Sequence, residues 1–341
     1  MLNYRWKLRN RSDEKTIQNL AQSLKIPVSL ANILAARGVH NQEDAHDFFE
    51  PQLKDLYDPF LMNSMDRAVE RILRAVKDGE AIWIHGDYDV DGTASTAMLL
   101  LFLREIGGKV GYFIPDRFTD GYGLSINSIN AAKKKNSKLL ITVDVGINSY
   151  EPLEYARSIG METIICDHHE PGEAIPEVFA ILDPIKGNCD YPFKYLSACG
   201  VTFKLVQALA ITLGCPEKAY EYLDFVAIAS AADMVPLVGE NRILSYYGLD
   251  NLNTAPRPGI RGLIECTNLK LGTISASSIV YALAPLINAA GRLGDASRAV
   301  EMMAQSDELT SFRIAQELEQ DNRRRRAFDE RTFEEAIPMA E

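Results

Sequence analysis

Cysteine is scarce in this 341-residue sequence and shows no pattern. Five are present (Cys166, Cys189, Cys199, Cys215 and Cys266), and no two stand in a C-x-x-C pair. That argues against a disulfide framework or a zinc knuckle and suits a reducing cytoplasm. No apolar run reaches the length of a membrane span. The first residues, MLNYRWKLRNRSDEK, carry basic side chains but lack the apolar core of a secretory signal. Positive charge is also in deficit: 36 Lys and Arg face 47 Asp and Glu, for a net charge of −11. That argues against a surface coated with DNA-binding cations. It does not exclude a local basic groove, because clustered carboxylates inflate the acidic count. No internal repeat or low-complexity tract is evident.

What is present is an ordinary globular composition, 47% hydrophobic and 24% charged, on a chain long enough for two globular units. The first part reads as helical. Thr16 to Leu24 has apolar residues at helical spacing, further helices are expected near Pro27 and Asn41, and Met65 to Lys77 repeats the pattern. From Ala81 the rhythm changes. Strands are expected over Ala81–Ile84, Lys109–Ile114, Leu139–Val143, Thr163–Cys166 and Val178–Leu182. Helices are expected between and after them over Ser95–Ile106, Ser125–Lys135, Glu151–Ile159 and Val201–Leu213. This alternation predicts an α/β fold with a doubly wound, mainly parallel sheet. Beyond about Asp224 the pattern is helical again. The expected division is a helical N-terminal region (1–75), a catalytic α/β domain (76–240) and a helical extension ending in a connecting helix (241–341).

The chemistry concentrates at the strand ends. HGDYDVDG, residues 85–92, packs His85, Asp87, Asp89 and Asp91 directly after an apolar strand. Such a group repels and desolvates itself unless something positive sits within it. Taken alone, the stretch reads equally well as an acidic turn capping the next helix, with Asp91 or Thr93 as N-cap. Two other strands end the same way, one in Asp144 and one in Asp167-His168-His169. In an open α/β sheet, ligands bind beyond the carboxyl ends of the strands, so three such ends form a plausible nest for hard divalent cations. Asp233 ends the small-residue helix of ASAADMVP, where a carboxylate opposes the helix dipole and calls for a cation or strong donor.

The set H-x-x-x-D-x-D, a strand-end D-V-G, the D-H-H triplet and the aspartate of A-A-D-M-V-P resembles the DHH phosphoesterase superfamily. HGDYDVDG, TVDVGI, CDHHEPG and ASAADMVPL, supported by PDRFTDGYGLS and NAAGRLGDAS, resemble its RecJ-like branch of single-strand-specific exonucleases. The resemblance implies a two-metal site holding manganese or magnesium. His85 and Asp89 would bind the first ion, Asp144 would bridge, and Asp91, His168 and Asp233 would bind the second. Asp87 and Asp167 would orient the other groups, and His169 would face the scissile phosphate. Because neighbouring strand-edge residues point to opposite sides, His168 and His169 are expected not to share an ion.

The resemblance further implies hydrolysis of single-stranded DNA from the 5′ end into mononucleotides during repair or recombination. Arg117, Tyr122, Asn288, Arg292 and Ser297 would contact the strand. It implies a monomer in the cytoplasm, away from membranes, with a single-strand-binding protein or a helicase as partner. Other DHH phosphodiesterase activities, and a non-catalytic DNA-binding replication scaffold, are the alternatives; an intact carboxylate set favours the enzyme. Members of this branch continue into a second lobe and an OB-type domain. With the chain running to Glu341, the metal site is expected to be complete and the grip on a strand weak. Cys166 reads as a buried small residue, and the runs Lys133–Lys135 and Arg323–Arg326 as solvated helix faces.

Overall fold

The structure, a computed structural model, describes residues 12–340. The chain divides into two compact units, Met1–Leu56 and Tyr57–Glu341. In the first unit, α1 (Glu14–Leu24), α2 (Val28–Ala35) and α3 (Gln42–Phe49) pack around Ile17, Leu20, Ala31, Leu34 and Ala45. Asp13 caps α1 by accepting the Thr16 N–H at 3.0 Å, and Asn41 caps α3 by accepting that of Asp44 at 2.9 Å.

The second unit opens with α4 (Met65–Asp78), followed by β1 (Ala81–Gly86), α5 (Val90–Glu105), β2 (Lys109–Phe113) and α6 (Ile126–Lys134). Next come β3 (Ser137–Val143), α7 (Tyr150–Ser158), β4 (Glu162–Cys166), β5 (Ala180–Leu182) and α8 (Ala198–Thr212). All strand pairs are parallel, in the order β2-β1-β3-β4-β5. Because α4 packs against α8 and β5, it belongs to this unit rather than to the N-terminal helices.

Helices cover both faces, which is why the strands are apolar without alternation. On one face Trp83, Leu140, Ile165 and Ile181 meet Ile129 and Ala132 of α6 and Leu153 and Ala156 of α7. On the other, α5 lies against β1 and is overlaid by α8 and by α9 (Leu223–Ala232). Thirteen residues of α5 are buried, so it carries no polar stripe. Its first turn lies in the acidic motif, not at Ser95: Asp89 is the N-cap and accepts the Gly92 N–H at 3.0 Å.

The remaining chain is helical: α10 (Gly239–Thr254), α11 (Pro258–Glu265), the short α12 (Ala276–Ser278), α13 (Ala284–Leu293), α14 (Ser297–Ala304) and α15 (Glu308–Ala340). A π-helical turn, Ile279–Leu283, joins α12 to α13. Both α13 and α14 pack on α5, which brings the later sequence back to the acidic motif. Among the described residues no helix is long and apolar enough to cross a membrane, and the five cysteines are free thiols.

Candidate metal centre

The order β2-β1-β3-β4-β5 reverses direction between β1 and β3, which opens a crevice at their carboxyl ends. The acidic residues gather there. Asp87, Asp89 and Asp144 form one group of donors whose atoms lie within 4.8 Å of one another; Asp91, His168 and Asp233 form a second, and Asp144, His168 and His169 a third. Asp144 and His168 are each shared by two groups. His168 Nε2 lies 3.3 Å from Asp144 Oδ1 and 3.8 Å from Asp91 Oδ2, and its Nδ1 lies 3.9 Å from Asp233 Oδ2.

The local backbone explains how so many carboxylates converge. Gly92 lets the start of α5 fold over the preceding turn, since a Cβ there would lie 2.5 Å from the Asp87 amide nitrogen. Asp144 ends β3 in the left-handed region at φ 64°, a conformation an aspartate tolerates better than most residues. It is pinned there by its N–H donating to Cys166 O at 3.0 Å. Asp91 reaches from α5 to the start of α8, where its carboxylate accepts the N–H groups of Ala198 at 2.7 Å and Cys199 at 2.8 Å. Those bonds satisfy open donors at the positive end of α8.

Burial, then the negative charge of Asp89, pushes the Asp87 carboxyl up to about 7. Burial also pushes Asp91 up to about 7. Asp144 is raised well above the usual carboxylate range by burial and by the charges of Asp91, Asp89 and Asp87. Asp233 is raised chiefly by burial. The nearby His168, His169 and Arg117 offset only part of this, and Asp87 Oδ1 is buried with no hydrogen-bond partner. A buried carboxylate oxygen without a donor is costly. Oxygen-rich donors with one or two imidazoles are what hard or borderline divalent cations take. The residues present therefore fit such ions.

Asp167 stands apart from the three groups and acts on the histidines. Its Oδ1 lies 2.7 Å from His169 Nδ1 and accepts the His168 N–H at 2.8 Å, while Oδ2 accepts the Ile147 N–H at 3.0 Å. Burial alone would raise Asp167, but His169 and these amides outweigh it and hold the carboxyl below its ordinary value. The same contact raises His169. His169 Nε2 in turn lies 3.3 Å from the Tyr122 hydroxyl. A cavity of about 200 Å³ beside this pair is lined by Tyr122, His169, Asp167 and the turn Val145–Ser149.

His85 is not brought into any of these groups. It is buried on β1, its ring stacks on Phe113, and its nitrogens lie 2.7 Å from Ser128 Oγ and 3.2 Å from Gly123 O. The third donor beside Asp89 and Asp144 is Asp87. The premise that the His168 and His169 rings point to opposite sides fails. Their ring centres are 4.7 Å apart and both fall in the group with Asp144, because β4 ends at Cys166 and strand alternation ends with it.

Of the expected strand contacts, Arg117 and Tyr122 lie beside the centre. The Arg117 guanidinium sits 5.5 Å from the Tyr88 ring centre, and Tyr122 meets Tyr88 edge-on. Gly291 brings α13 against the same motif: a Cβ there would lie 2.7 Å from Tyr88 O. The neighbouring Arg292 is exposed and close enough to act on the Tyr88 hydroxyl. Asn288 and Ser297 are half-buried on α13 and at the start of α14. Two residues escaped the sequence reading. Tyr88 is the surface on which Arg117 and Tyr122 rest. Asp183 follows β5, is buried with Oδ2 unpartnered, and is raised to about 6 mainly by burial. Its signal was a fourth strand-end carboxylate, in ILDP.

The fold and centre define a recognisable class. Residues 81–230 match the model of the DHH family, N-terminal domain. The single-stranded-DNA-specific exonuclease RecJ of Bacillus subtilis (strain 168) is 38% identical over 337 residues, covering 99% of this chain and 42% of the relative's length. A crystal structure of exonuclease RecJ bound to manganese superposes with a TM-score of 0.77 at 33% identity, covering 84% of this chain and 72% of that one. RecJ of Thermus thermophilus, in complex with Mn2+, gives 0.84 at 29% identity over 98% of this chain and 48% of that one. The chain belongs to the DHH family and, within it, to the RecJ group. It spans less than two thirds of the length of the curated relatives it matches, 42% of the B. subtilis protein.

Proposed function

We propose that this chain is the metal-bearing part of an exonuclease that degrades single-stranded DNA from the 5′ end into mononucleotides. The observation that carries the reading is the double cluster at the switch point, six protein donors in two groups with Asp144 positioned between them. Support comes from the relatives, named single-stranded-DNA-specific exonucleases, and from neighbours bound to Mn2+ or Mg2+.

Asp87, Asp89 and Asp144 would hold one divalent cation, and Asp144, Asp91, His168 and Asp233 a second. A pair of manganese or magnesium ions held there would supply activation of a water and stabilisation of charge on the phosphoryl oxygens. The protein's own groups do the rest. Asp167 fixes the ring of His169 and raises its proton affinity, so Nε2 can donate to a phosphate oxygen. Arg117 and Arg292 offer planar donors to successive phosphates. Tyr122, exposed on its glycine turn, offers a face for a base, and Asn288 and Ser297 line the approach from α13 and α14. Residues 76–240 form the catalytic domain in this reading, with 241–341 as its extension. In this reading the chain works in the cytoplasm, where free thiols persist, as a monomer beside a single-strand-binding protein or helicase.

The test is digestion of end-labelled strands in manganese, with either end blocked, against duplexes and dinucleotides. Nucleotide release from an open 5′ end of single strands supports the reading. Digestion only from an open 3′ end, equal cutting of duplex, or activity confined to dinucleotides overturns it.

A further inference from the structure

We infer that His85 is a positioning residue: it anchors the turn that carries Tyr122, rather than ligating a metal. The inference rests on the nuclease reading for its kinetic consequence, but its structural core stands on the contacts of His85 itself.

Gly123 O can only accept, so the His85 Nε2, 3.2 Å away, carries the ring proton and donates it. Nδ1 then holds the ring's single free lone pair, and Ser128 Oγ, 2.7 Å away, donates into it. A metal needs that same lone pair. The ring is fully buried and stacked on Phe113, and its strand position faces α6, which supplies Ser128.

What the contact holds is a turn with little stiffness of its own. Gly121 and Gly123 both have left-handed φ, 82° and 86°, and between them Tyr122 extends to His169 Nε2. Glycine pairs leave a turn many alternative shapes. Asp116 ties down the earlier part of the segment, accepting the amides of Phe118 and Thr119. From Gly121 onward, the bond from β1 to Gly123 O fixes the turn to the strand that delivers Asp87 and Asp89. His85 thereby sets the distance between Tyr122 and the histidine of the centre.

The experiment compares His85→Phe, which keeps the ring stacking and loses both hydrogen bonds, with His85→Gln, whose amide can still donate to Gly123 O. Ser128→Ala serves as a milder variant if His85→Phe fails to fold. Three readouts are taken: Mn2+ titration, amide hydrogen exchange over residues 119–125, and KM and kcat on single strands. Expected for His85→Phe are Mn2+ affinity within about twofold of the parent, exchange in the turn faster by about tenfold, and a rise in KM larger than the fall in kcat. His85→Gln should recover part of the protection. Loss of Mn2+ binding with an unchanged turn overturns the inference, as does unchanged exchange in His85→Phe. Exchange and titration need no turnover, so a protein that cuts no DNA refutes the nuclease reading without touching this one.

Discussion

His169 Nδ1 lies 2.7 Å from the buried carboxylate of Asp167, and that contact makes two adjacent histidines different. His168 turns both nitrogens toward the carboxylates of the centre. His169 has one nitrogen held and the other free to meet Tyr122 or a substrate.

Asp167→Asn should therefore leave Mn2+ binding near normal while lowering kcat by about 10- to 100-fold. Because Asp167 raises His169, its loss should also move the alkaline fall of the rate profile to lower pH. A pH–rate profile with an unmoved alkaline limb would contradict the role given to this pair.

Arg117 and Arg292 should act on affinity rather than on the metals. Replacing either with alanine is expected to raise KM on long strands by roughly tenfold and to reduce the salt dependence by about one phosphate contact. Dinucleotides, with fewer phosphates to hold, should suffer less. Kinetics at three salt concentrations would show this.

Removing the metals should make stability fall with rising pH. Asp87 and Asp91 lose their protons near pH 7 in the folded chain but near the ordinary carboxylate value when unfolded. The folded state thus holds more protons between those two values, so stability is lost as pH rises from about 4 to about 7 and levels off above that. His85, held low at about 4 by burial, has the opposite sign and offsets part of the slope between about pH 4 and 6.5. Saturating Mn2+ should flatten the slope. Thermal unfolding of metal-free and loaded protein across the interval measures both effects.

The sheet and most of the centre were legible because each apolar strand stops at a charge. Asp144 and Asp167 directly follow β3 and β4, and no packing detail is needed to place them on one edge. The surroundings of His85 were not legible because the spacing H-x-x-x-D-x-D does not reveal that its first residue is still inside the strand, facing α6. The directions of the His168 and His169 rings were misjudged for the converse reason: the strand ends before them. Tyr88 went unread because its use depends on Gly291, far along the chain, arriving on α13. The first turn of α5 was hidden because Asp89 both caps a helix and belongs to the centre, and the two uses look alike in sequence.

The central claim is a two-ion centre joined by Asp144, and counting bound Mn2+ by electron paramagnetic resonance tests it most directly. Asp144→Asn suits the left-handed backbone and keeps the shape, while His168→Ala removes the other shared donor. The account predicts two ions per chain at saturation in the parent. It also predicts loss of at least one ion and nearly all turnover in Asp144→Asn, with the metal-free variant no less stable, since a repelling charge has gone. One ion in the parent, or two ions with normal turnover in Asp144→Asn, would contradict it.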